Sequence, residues 1–308
     1  MSTKPTNFFL TTYILFGILA VSTSSIFIRF AGETAPSLVI AAFRLTFAAF
    51  LLAPLALTRY WIELKHLSRS DLFFGILSGF FLSLHFATWI SSLKFTSVAS
   101  SVVLVTTTPL WVSLVSPFIL KEKNGKNVIA GMLVALFGGI LIGLADTCSI
   151  ENGLVCPSIS TFFQGKAFFG DLLSLCGAVM AAGYILIGRK LRSKMSLIPY
   201  IFLVYGVAAI SLLVILFFSG EKLAGIPSIS YFWIFLLALI PQLIGHSTFN
   251  WALGYLPASL VSITLLGEPI GSTILAFLLL HEIPGPIKLL GALFLLAGII
   301  TASGKTGN

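Results

Sequence analysis

Long apolar runs alternate with short breaks of glycine, proline and charged residues along the whole chain. A helix that spans a bilayer needs about 20 apolar residues. The runs predict helices over about residues 12–28, 37–57, 72–93, 97–120 and 127–145, and then over 171–188, 197–218, 231–253, 258–280 and 287–302. The expected fold class is an all-α polytopic membrane protein of ten transmembrane helices.

Composition agrees with this pattern. The 308 residues are 57% hydrophobic and only 9% charged, against about 25% charged residues in a typical soluble domain. Lipid is the solvent, and ten spans leave only short loops. The first apolar run follows Lys4 and precedes a stretch of small residues at 31–35, as a signal peptide would. A repeat counterpart in mid-chain argues that it is retained as a helix.

The net charge of +8 is read by membrane side rather than as a nucleic-acid surface, since no basic face interleaved with aromatics exists. With the N-terminus inside, the cytoplasmic side gathers twelve lysines and arginines against five outside. Both termini are then cytoplasmic, in a multi-pass protein of the cell membrane. Cys148 and Cys156 share a polar loop on the outer side. There they form a disulfide or stay as two free thiols.

A gapless shift of 160 residues superimposes Pro109 on Pro269, Glu122 on Glu282, Gly131 on Gly291, Gly138 on Gly298, Gly17 on Gly177 and Arg29 on Arg189. Leucine and glycine matches are common in so apolar a chain, but two prolines and two glutamates in one register are not. The chain reads as two repeats, residues 1–150 and 171–308, joined by an external loop at 151–170. An odd number of helices per half inverts the second repeat. Inverted repeats are the usual architecture of secondary transporters, with a site at the midplane. Glu122 and Glu282 follow the fourth and ninth helices, where a carboxylate can gate, cap the next helix or pair with Lys126 and Lys288.

Ionisable groups inside a bilayer are costly and call for a partner or a water-filled cavity. Arg44 lies about eight residues into the second helix, and its register partner is Val204. It can hold a substrate carboxylate or phosphate, or be satisfied by carbonyls and a fixed acidic partner. Glu268 precedes Pro269 in the ninth helix, where a proline exposes a carbonyl; it is a candidate for proton coupling or for pairing with Arg44. His85 and His246 fall in polar stripes of the third and eighth helices, one position off the register, and Asn250 follows His246 by one turn. Such stripes line a site or glue helices together. Trp89, Trp111 and Trp251 could contact flat substrates, Trp111 being expected deepest, and Thr106-Thr107-Thr108 before Pro109 offers a polar floor at a kink. Gly139 and Gly143 form a packing motif in the fifth helix.

The run Leu266-Gly267-Glu268-Pro269, then Leu280-His281-Glu282, Gly291 and Gly298, with Gly170-Asp171 opening the sixth helix and Arg44, Pro109, Glu122 and Gly131 in the first half, resembles the EamA branch of the drug/metabolite transporter superfamily. The resemblance covers nearly the whole chain. It implies that helices 1 to 4 and 6 to 9 surround a central cavity, with 5 and 10 peripheral. It also implies a small metabolite as substrate, such as an amino acid, often exported.

A secondary transporter is the expected function, with a channel or an intramembrane enzyme as alternatives. No HExxH, paired aspartates or phosphate-binding GxxxxGK[ST] occurs. No enzyme activity, cofactor or metal is expected; substrate, direction, coupling ion and oligomeric state are left open.

Overall fold

The computed structural model describes residues 5–121, 125–145, 165–221 and 223–303. Cys148, Cys156 and Glu122 lie outside these residues. Among the described residues the long helical runs are α1 (Phe8–Gly32), α2 (Ser37–Arg59), α3 (Arg69–Ser92), α4 (Val98–Ile119), α5 (Lys126–Ala145), α6 (Lys166–Arg192), α7 (Leu197–Ser219), α8 (Ser228–Ala252), α9 (Ala258–Leu280) and α10 (Pro286–Ser303). Among the described residues, eight of these runs, α1 to α4 and α6 to α9, are long and apolar enough to cross a membrane. Exposed apolar side chains such as Phe118 and Phe217 belong to a surface that faces lipid.

Several boundaries differ from the sequence reading, each for a local reason. Helix α6 runs past 171–188 at both ends because Lys166 and the Arg189–Arg192 segment sit at its termini, where long basic side chains reach away from the apolar layer. Helix α1 breaks at Thr23, whose N–H and hydroxyl both turn back to the Ala20 carbonyl, at 3.3 and 2.8 Å. Helix α8 contains a π-helical segment, Ala238–His246, around Pro241; such segments often mark functional sites. A five-residue helix, Trp61–Lys65, joins α2 to α3 in a stretch read as a loop.

Close approaches between helices follow the 160-residue register. A Cβ at Gly138 in α5 would lie 2.5 Å from the Gly291 carbonyl oxygen of α10, and one at Gly298 would lie 2.5 Å from that of Gly131. Low numbers on one helix meet high numbers on the other, so these counterparts pack antiparallel. The same symmetry relates α1 against α8 to α6 against α3. Gly17 abuts Thr248 and Phe249, and Gly177 abuts their counterparts Thr88 and Trp89. Helices α2 and α7 pack across the twofold. The two halves are thus interleaved with opposite sense, and the chamber forms between them.

Candidate functional site

Breaks in α4 and α9 open the middle of the bundle. Helix α4 consists of Val98–Val105 and Thr108–Ile119, and α9 of Ala258–Thr264 and Gly267–Leu280. The breaks fall within one residue of each other in the register. Pro109 and Pro269 therefore sit in the first turn of the segment after each break, not at a kink within a continuous helix. A proline is well tolerated there, because its missing N–H would have had no intrahelical partner. The threonines repair α4: Thr106, Thr107 and Thr108 donate their hydroxyls to the carbonyls of Val102, Leu104 and Val105 at 2.8, 2.7 and 2.8 Å.

A chamber lies beside these breaks, walled by α3, α4, α6, α8 and α9. His85, Trp89, Thr106, Thr108, Tyr184, His246, Asn250 and Glu268 line it, with apolar Ala181, Phe249, Leu253 and Val261. Its volume is about 50 Å³, room for a few waters but not for a metabolite. The helices must part to admit one.

The polar groups of the wall hold one another in place. The Nδ1 of His85 bonds the Gly177 carbonyl at 2.9 Å; a carbonyl only accepts, so Nδ1 carries the proton. In the neutral ring that leaves Nε2 as an acceptor. The same ring stacks on Trp89 at a centroid distance of 5.8 Å and stands 6.5 Å from the ring of His246. The two histidines expected near the twofold thus meet in one chamber. The Asn250 amide donates to the hydroxyls of Tyr184 and Tyr205, and the Tyr205 hydroxyl lies 3.3 Å from the Ser247 hydroxyl. Glu268, 8% exposed, occupies the first turn of Gly267–Leu280. There the positive end of the helix dipole favours a carboxylate.

Arg44 stands apart from this wall. Fully buried, it donates Nε–H to Gln242 Oε1 and an Nη1 proton to Ser24 Oγ, both at 2.9 Å. Its guanidinium lies 4.1 Å from the centre of the Phe86 ring, close enough for a cation–π attraction. No ion pair joins it to Glu268 among the described residues. The carbonyls and fixed acid expected as its partners are replaced by an amide, a hydroxyl and an aromatic face.

The tryptophans also differ from expectation. Trp89 is the deep one, 2% exposed and in the chamber wall, whereas Trp111 is half-buried and does not line the chamber. Thr108 and Trp111 share the segment after the break, yet only Thr108 lines the chamber, so their shared run in sequence does not give them a shared face. Trp251 packs with Tyr13 and Tyr255.

Tyr184 and Phe249 were not singled out in the sequence. Tyr184 sits as a lone hydroxyl in the small-residue stretch of α6, which was the available signal. Phe249 carried none. Among the described residues no group of three histidines, cysteines or acids is placed to hold a metal ion.

This geometry defines a class: a multi-pass membrane protein, all-helical over the described residues, of two intertwined repeats around a largely apolar chamber set with a few polar groups. The comparisons with known proteins give the family. The model of the EamA-like transporter family matches twice, over residues 10–144 and 168–304, and the chain belongs to that family, one of transporters of small molecules. The chain is 26% identical over 209 residues, 67% of its length, to the uncharacterized transporter YdfC of Bacillus subtilis strain 168, and spans 62% of that relative's length. It is 22% identical over 270 residues to an uncharacterized transporter of Archaeoglobus fulgidus, covering 85% of this chain and 88% of that one. A crystal structure superposes with a TM-score of 0.67 at 19% identity, covering 97% of both chains, a likeness of fold.

Proposed function

We propose that this protein is a secondary transporter of the cell membrane that moves a small metabolite, an amino acid or related compound, outward by alternating access around the chamber. Ten crossings with both termini cytoplasmic complete the arrangement. The observation that carries this reading is the pairing of a central chamber, largely apolar with a few polar groups, with two interleaved repeats of opposite sense, since symmetric halves can exchange conformations about a site between them.

Among the described residues that line the chamber, Glu268 is the one carboxylate and none is a lysine or arginine. An ammonium group would be held there by Glu268 and the Asn250 and Tyr184 dipoles, with an apolar or aromatic side chain against Trp89 and Phe249. His85 and His246, which line the same chamber as Glu268, offer a relay for a proton moving against the substrate. Arg44 acts on this site by holding α2 to α8 rather than by touching the substrate. Counterflow of labelled amino acids in proteoliposomes tests the reading. Exchange of labelled for unlabelled substrate is the expected result; an ion current with no exchange would replace it with a channel.

A further inference from the structure

The two ends of the bundle are built on the same plan but differ in the side chains that lie beneath their arginines. At one end, Arg29 of α1 donates from Nη2 to the Thr96 carbonyl at 2.8 Å, just beyond α3. At the other, its counterpart Arg189 of α6 donates from Nη1 to the Leu253 carbonyl at 2.8 Å, just beyond α8. Lys121 and His281, also register partners, end α4 and α9 with φ of 58° and 55°. Up to this point the ends match.

At the Arg29 end, Glu282 joins the brace; its register counterpart, Glu122, lies outside the described residues. One carboxylate oxygen lies 3.4 Å from Arg29 Nη2 and the other accepts the Val98 N–H at 3.0 Å, so the end of α9 is tied to α1 and to the start of α4. Lys288, the partner the sequence offered for Glu282, bonds Ser97 Oγ at 2.9 Å. Beneath it the Ser92 and Ser101 hydroxyls lie 2.6 Å apart, and the Ser174 hydroxyl donates to Ser101 at 3.2 Å. All three are fully buried, and they join α3, α4 and α6.

Their counterparts at the other end are Ala252, Val261 and Ile14, which cannot form such a cluster. The chamber extends on that side: Val261, the counterpart of Ser101, is part of its wall, with Leu253 beside it.

Resting on the transporter reading above, we propose that the protein closes its two ends by chemically different gates, a hydrogen-bonded one of Ser92, Ser101 and Ser174 braced by Arg29 and Glu282, and an apolar one around Ala252 and Val261. The polar gate is shut in the conformation described. Parting the first end breaks interhelical hydrogen bonds between buried hydroxyls, a cost that the apolar end does not carry. The difference biases the resting protein toward the state closed at the Glu282 end. Arg29, Glu282 and the serines are positioning residues; none lines the chamber.

The test reads access instead of transport. In full-length protein whose three native cysteines are replaced by serine, Ala181→Cys places a thiol in the chamber wall, and a membrane-impermeant thiosulfonate is applied to each face of sealed vesicles in turn. Labelling is expected to be faster from the Val261 end. Ser101→Ala or Glu282→Gln is expected to raise labelling from the Glu282 end by roughly 3- to 20-fold, the range of one interhelical hydrogen bond in a membrane, with a fall at the opposite face. Ala252→Ser with Val261→Ser, which restores the hydroxyl pair at the apolar end, should slow labelling there. Faster labelling from the Glu282 end in the unaltered gate, or rates unchanged by both weakening variants while they elute as monodisperse protein, would overturn the proposal. If the labelling shifts appear but no variant exchanges any amino acid, the gates stand and the substrate reading falls.

Discussion

Arg44 in α2 and Gln242 in the π-helical segment of α8 form a hydrogen bond of 2.9 Å across 198 residues of chain. The pair is fully buried, and it ties the first repeat to the second beside the chamber. A guanidinium in this position depends on its acceptors, because an uncompensated charge in low dielectric costs several kcal/mol.

This dependence predicts an order of stabilities. Gln242→Leu leaves Arg44 with one side-chain acceptor and should destabilise the protein by roughly 1.5–3 kcal/mol, the usual worth of a hydrogen bond to a charged group. Arg44→Met removes the charge along with its needs, fills similar volume and should cost less than Gln242→Leu. Thermal unfolding in detergent compares them. The reverse order would mean that the Arg44 charge is answered elsewhere.

Glu268 is the acid of the chamber, and Glu268→Gln preserves its shape. The variant is expected to fold, to retain counterflow of bound substrate and to lose accumulation driven by a pH gradient, by roughly 5- to 150-fold, the span of ordinary coupling free energies. Uptake into proteoliposomes with and without an imposed gradient separates the two activities. Equal gradient-driven uptake in variant and native protein would remove Glu268 from the coupling.

Trp89 and Trp111 make a matched pair, one in the chamber wall and one outside it. Trp89→Leu should raise the KM for exchange about tenfold, the loss expected when about 1.4 kcal/mol of aromatic contact is removed. Trp111→Leu should leave KM within about twofold. A KM change confined to Trp111→Leu would place the substrate elsewhere.

Packing between α5 and α10 supplies a structural contrast. Gly138→Leu drives a side chain into the Gly291 carbonyl and the Leu295 backbone and should cost at least about 1–3 kcal/mol as overpacking against rigid backbone. Gly206, in mid-α7, has nothing within 4 Å of its Cβ position. Gly206→Ala should be neutral or stabilising by up to about 1 kcal/mol through helix propensity. Unfolding midpoints of the two variants, measured under one detergent condition, decide the point.

The membrane class was legible because hydrophobicity accumulates locally: about 20 apolar residues in a row specify a span whatever surrounds them. The doubling was legible for a similar reason, since Pro109 with Pro269 and Arg29 with Arg189 are matches in sequence that need no coordinates. The candidate chemistry was partly legible, because a histidine or carboxylate inside an apolar run is conspicuous by its cost. His85, His246, Asn250 and Glu268 were found this way and do converge on one chamber.

What the sequence could not give was facing. Thr108 and Trp111 are neighbours in the chain and share the segment after the break, yet Thr108 lines the chamber and Trp111 does not. The breaks themselves were invisible, as the prolines suggested kinks at their own positions while the backbone parts two to four residues earlier. Ser92, Ser101 and Ser174 are ordinary serines until α3, α4 and α6 bring their hydroxyls together.

The sequence by itself thus determined the solvent, the doubling of the chain and the short list of groups too costly to bury without purpose, because each rests on local composition or on register. Only the tertiary structure decided that Arg44 belongs to Gln242 and Phe86, that Trp89 and not Trp111 reaches the chamber, and that one end is closed by hydroxyls where the other has only Ala252 and Val261. Those outcomes depend on the relative rotation and break points of packed helices. Such geometry is set by contacts between residues far apart in the chain, and no pattern along one helix records it.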